Sequence, residues 1–192
     1  AFEAGMQEQL KDIEKITSNE QAPSFENTIV ELERTGKILD KVSNVFFNLL
    51  GSNTDDSMDK LAVEISPKLS AHGDSILLNK ELFNRVEAVY QSKSDFNLNT
   101  EQNRLLDETY KRFVRSGANL NEDGMTRLTA INQSLSSLSV NFDQNVLKET
   151  NGYSLIIENE EELSGLPAEE IRQAAKLAKS EGHDGKWVFK PT

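Results

Sequence analysis

His72 and His183 are the only imidazoles in this sequence, and imidazole is the usual side chain for acid–base work or metal binding near neutral pH. A catalytic zinc takes about three protein ligands, so two histidines this far apart would still need a carboxylate converging on them. No His-Glu-x-x-His occurs anywhere in the chain. Both histidines therefore read as surface or loop-end residues. The run Glu160-Glu161-Glu162 could in principle hold a hard cation. Calcium loops, however, alternate their oxygen ligands and include a turn glycine, so the run reads as a solvated acidic face at a helix N-terminus. Asp55-Asp56, after Thr54, reads likewise as first-turn carboxylates favoured by the helix dipole. Ser134, Ser136, Ser137 and Ser139 lack the adjacent base and oxyanion hole that a nucleophile needs. Their small size suits close helix approach or a water-facing position. The sequence thus predicts no catalytic, cofactor-binding or metal-ligating residue in this chain.

The composition narrows the partners. Acidic residues outnumber basic ones 32 to 21, and no Lys/Arg cluster forms the basic stripe that a phosphate backbone requires, which argues against nucleic acid. The apolar fraction of 36% permits only a modest core. No run reaches the ~18 apolar residues of a membrane span, and no signal peptide opens the chain, so a soluble domain is expected, with no membrane partner. The absence of cysteine excludes disulfides and thiolate chemistry but fits either cytoplasm or periplasm. The first residue is Ala1, and Phe2, Met6, Leu10 and Ile13 are already in helical register, which reads as an excised fragment.

The elements that would position any site are helical. Apolar spacing predicts a first helix over Phe2 to Ile16 and a second from a cap at Ser24 to Gly51, with Gly36 in its middle marking close packing or a slight bend. A third, starting at Asn53 or Thr54, should be interrupted or kinked at Pro67. Asn79 can cap a fourth, and Asn99 with Gln102 forms a capping box for a fifth that ends at Gly117. The longest, capped by Asn121 and stopped at Asn151-Gly152, carries Leu128, Ile131, Leu135, Leu138, Phe142 and Val146 on one face. That face is expected to be buried, with Leu135 and Leu138 deep in the core and the rest of the chain organised around it. Tyr153 to Ile157 and Lys186 to Phe189 are strand-like and flank an Ala-rich helix. Phe46 and Phe47 straddle two helix faces, so one ring should enter the core and the other touch something else. Trp187 reads as packing. The expected fold is all-α, a mainly helical array over residues 1–152, with a small strand-containing appendage over residues 153–192.

The stretch Pro23-Ser-Phe-Glu-Asn-Thr-Ile29, continuing through Leu32-Glu33 and Gly36 to Val42-Ser-Asn-Val-Phe-Phe-Asn48, resembles the N-terminal helical region of bacterial peptidyl-dipeptidases. These are zinc metallopeptidases related to oligopeptidase A and thimet oligopeptidase. The likeness continues through Phe113 to Leu120, the Leu135 to Leu147 face, Leu163-Ser-Gly-Leu-Pro167 and Gly185-Lys-Trp-Val188, and so covers essentially the whole chain. It implies a parent enzyme that hydrolyses short oligopeptides with a zinc held by a His-Glu-x-x-His helix in a catalytic half. The present residues would form the opposing wall or lid of the substrate channel. On that reading the zinc ligands lie outside this chain, the fragment holds no cofactor and is inactive alone, and its partners are the catalytic half and peptide substrates. A free-standing helical module that binds a protein or peptide partner is the alternative.

Overall fold

The computed structural model describes residues 1–190, and the chain divides into two compact units, residues 1–140 and the residues from 141 on. Its helices are α1 (Phe2–Thr17), α2 (Glu31–Arg34), α3 (Lys37–Ser52), α4 (Asp56–Leu77), α5 (Lys80–Gln91), α6 (Thr100–Arg115), α7 (Glu122–Gly152) and α8 (Ala168–Ser180). The strands are β1 (Leu155–Ile157) and β2 (Trp187–Phe189). The all-α class with a small strand-containing appendage near the C-terminal end is as the sequence predicts, and the two strands of that appendage pair with each other.

Several boundaries follow the predicted caps. Ser24 Oγ accepts from Asn27 N–H at 3.1 Å while Asn27 Oδ1 accepts from Ser24 N–H at 2.9 Å, a reciprocal box that starts a π turn over Phe25–Val30 leading into α2. Asn79 Oδ1 accepts from Leu82 N–H, and Asn99 with Gln102 forms the second box. Asn121 Oδ1 accepts from Gly124 N–H at 2.9 Å at the start of α7.

Two helices differ from the sequence reading. The predicted second helix is broken: Gly36 has φ +76°, a left-handed conformation that a side chain rarely adopts, and it separates α2 from α3 instead of bending one helix slightly. Conversely, α4 runs unbroken past Pro67 from a cap at Asp55, whose Oδ1 accepts from Ser57 and Met58 N–H at 2.9 and 2.8 Å. Burial of Ala62, Ile65 and Ser66 on one side of the proline and of His72 and Ile76 on the other holds the helix together across the lost hydrogen bond.

The core of the first unit is centred on α5. Leu82, Val86 and Val89 have no accessible surface, and with Phe83 they pack against Ile13 and Ile16 of α1, Phe25 and Ile29 of the π turn, and Leu106 and Phe113 of α6. A second cluster joins Phe2, Leu39 and Ile65, with Phe46 edge-on to Phe2 at 5.4 Å. Phe46 is thus the inward ring and Phe47 the exposed one, as expected. Gly5 allows this packing, because a Cβ there would lie 3.0 Å from the Leu39 backbone.

In the second unit β1 and β2 pair antiparallel in the register Leu155↔Phe189, Ile156↔Val188, Ile157↔Trp187. Leu163, Ala174, Ala178 and Val188 are buried, the two alanines letting α8 approach β2 closely.

The expected burial of the α7 face is overturned. No residue of α7 is buried, and Ile131, Leu135, Leu138, Phe142 and Val146 are 45–66% accessible. Periodicity registers that a face is apolar, not that a neighbour covers it. Leu82→Ala should therefore lower the unfolding free energy by about 2–5 kcal/mol. Leu135→Ala, at an exposed position, should change it by less than about 1 kcal/mol. Equilibrium urea unfolding of the two variants checks both values, and equal losses would contradict this assignment of the core.

Candidate functional surface

The residues with chemical potential are dispersed and mostly occupied. His72 is buried in α4 and is not the surface or loop-end residue its isolation in the sequence suggested. Its place is explained by a polar relay. Thr35 Oγ1 donates to Leu32 O at 2.9 Å, Gln9 Nε2 donates to Thr35 Oγ1 at 3.2 Å, and Gln9 Oε1 is left to accept from His72 Nε2 at 2.8 Å. Burial pushes the His72 imidazole below its ordinary value of 6.5, with no charged neighbour contributing. His183 follows α8 at a loop, where its backbone N–H donates to Ala178 O at 2.8 Å.

Glu160, Glu161 and Glu162 form an exposed 3-10 turn with Leu163, capped by Asn159, rather than the first turn of a longer helix. Asp55 is the cap of α4, and the Ser57 hydroxyl and Met58 N–H hold its carboxyl below the usual range. Ser134 hydrogen-bonds back to Ala130 O, and Ser136, Ser137 and Ser139 share its helix without a base beside them among the described contacts. Among the described residues, no group of three or more His, Asp or Glu side chains is placed to hold a metal ion.

Arg85 is the polar residue that the sequence reading missed. Its guanidinium is buried and donates to Asn19 O at 2.8 Å, Gln21 O at 3.3 Å and Asn27 Oδ1 at 3.2 Å, tying the loop before the π turn to α5. A single arginine on an apolar helix face was the only available signal, and it did not reveal which carbonyls would meet it.

What remains available for recognition is apolar. The first feature is the α7 stripe. The second is an open groove of about 630 Å³ beside the start of α1, lined by Val42, Val45, Phe46 and Leu49 of α3 and by Leu61 and Ile65 of α4. Charges stand at its rim, where Lys68 pairs with Glu64 at 2.7 Å and Glu3 at 3.6 Å. Fold and surface thus define a mainly helical module with two exposed apolar faces.

No family-level profile matches the chain. Individual relatives do. Dipeptidyl carboxypeptidase of Escherichia coli (strain K12) is 35% identical over 98% of this chain, and that of Salmonella typhimurium is 35% identical over the same share. Oligopeptidase A of Haemophilus influenzae is 28% identical over 84% of the chain. Identity along nearly the whole chain supports its being a part of a protein of the dipeptidyl carboxypeptidase family. It spans 28% of the length of the first two relatives and 24% of the third. Among the described residues no helix is long and apolar enough to cross a membrane.

The His72 environment has a pH signature. Its pKa is lower in the folded chain than in the unfolded one, so below about pH 6.5 the unfolded state takes up the proton first and stability falls as the pH falls. His72→Gln should flatten the slope of unfolding free energy between about pH 7 and pH 5. Urea unfolding across that range measures it, and an unchanged slope would contradict the assignment.

Proposed function

We propose that this chain is the N-terminal, non-catalytic part of a zinc-dependent peptidyl-dipeptidase that hydrolyses short oligopeptides, and that it forms one wall or lid of the substrate channel. The observation that carries the reading is identity to dipeptidyl carboxypeptidase along 98% of this chain but only 28% of the relative, on a chain that leaves the α7 stripe uncovered. Those relatives are about 3.5 times longer, which leaves room for a catalytic half elsewhere in the parent. The stripe is the surface we assign to the rest of that polypeptide.

The zinc that this family resemblance implies does not fit the residues present. Gln9 already engages His72 Nε2, and no cluster of candidate ligands lies around either histidine among the described residues. No catalytic step is assigned to any side chain here, and the metal ligands belong to the remainder of the parent. The role left to this chain is steric: a helical wall admits extended peptides to a channel and keeps folded proteins out.

A second reading, a helical module that binds a partner helix, has one observation in its favour, the apolar groove between α3 and α4.

The two readings diverge in a reconstitution. The purified chain should hold no stoichiometric zinc and leave an internally quenched oligopeptide intact. Mixed with the separately expressed remainder of the parent, it should associate and restore cleavage. Leu138→Glu, on an exposed position, should leave stability within about 0.5 kcal/mol yet weaken that association at least tenfold. Chelator-sensitive cleavage by the chain alone would overturn the non-catalytic reading. Failure of two folded parts to associate would favour the module.

A further inference from the structure

The polar relay has a place in the fold that neither core packing nor the peptidase reading uses. α3 and α4 form a helical hairpin whose closed end is the short turn Asn53–Asp55. At its open end stand Thr35 and Gly36, just before α3, and His72 on α4. Gln9 of α1 lies between them, with its carboxamide oxygen on His72 Nε2 and its carboxamide nitrogen on Thr35 Oγ1. The same carboxamide fills the space beside Gly36, where an added Cβ would clash with Gln9 Nε2.

Beyond the clasp, towards the closed end, the two helices are separated by the apolar groove. Of the sixteen residues of α3 only Leu39 is buried, whereas Ile38, Val45, Phe47 and Leu49 are exposed. α3 therefore rests on α1, through Leu39 and Phe46, and not on α4, and it is attached through a glycine already in the left-handed region.

We propose that Thr35–Gly36 is a pivot for α3, that Gln9 latches it by bridging Thr35 to His72, and that release of the latch lets α3 swing against α4 to change the width of the apolar groove. The apolar lining, wet in the open arrangement, supplies the tendency to close. The aromatic contact of Phe46 with Phe2 and the close approach of Gly5 to Leu39 keep α3 seated on α1 while the latch holds. Gln9 is a positioning residue in this device.

The experiment is amide hydrogen exchange on the 192-residue chain, comparing wild type with Gln9→Ala and, separately, with Thr35→Val, which keeps the shape and removes the hydroxyl. Loss of the bridge should speed exchange of the α3 amides by roughly tenfold while those of α5 and α6 keep their rates. The chain has no cysteine, so Asn44→Cys with Val63→Cys places spin labels on α3 and α4 alone. Gln9→Ala in that background should add a second interlabel distance population. Either unchanged α3 exchange in both variants or acceleration spread evenly over α3, α5 and α6 would overturn the latch. A single, unshifted distance population in the Gln9→Ala background would overturn the swing.

Discussion

Arg85 enters the interior of the first unit on the most buried helix of the chain and satisfies its charge with neutral oxygens, those of Asn19, Gln21 and Asn27, rather than with a carboxylate. A buried guanidinium without such acceptors would be costly, so the loop before the π turn has little freedom to move away. That tie places Phe25 and Ile29 against Leu82, Val86 and Val89, and α1 and α6 close over the same cluster. Nε of the same guanidinium is buried without a partner, which makes the arrangement demanding of its remaining hydrogen bonds. The interior of residues 1–140 depends on α5 in this sense, although α7 is the longer and more regular helix.

α5 and α7 differ in where their apolar side chains lie. α5 commits its apolar side chains to the core and leaves little for a partner. α7 holds the first unit through Asn132 to Asp74 at 2.9 Å and Lys80 to Glu122 at 3.3 Å, and keeps its leucines and Phe142 in reach of solvent. A surface of that kind agrees with a chain that spans about a quarter of its relatives' length. The titratable groups are dispersed along the described residues. Asp55 serves as a cap, His72 as one end of a polar bridge and the glutamates of residues 160–162 as a solvated turn.

Local chemistry was legible from residue types alone. Ser24, Asn79, Asn99 with Gln102, and Asn121 mark helix starts because a short polar side chain satisfies orphan N–H groups within its own turn, whatever packs nearby. The helical class, the two strand-like segments near the C-terminal end, the division of labour between Phe46 and Phe47 and the family resemblance were likewise readable, since each rests on short-range pattern or on residue identity. What only the tertiary structure decided depends on the environment at a distance. Pro67 stays inside α4 because burial on both sides outweighs one missing hydrogen bond, and Gly36 takes a left-handed conformation between α2 and α3 with Gln9 beside it, where a side chain would not fit. His72 is buried because α1 brings it a carboxamide. The α7 stripe is exposed for the same reason in reverse: a 3.6-residue period makes a face apolar through the helix's own geometry, but covering that face takes a neighbour that the helix itself does not encode.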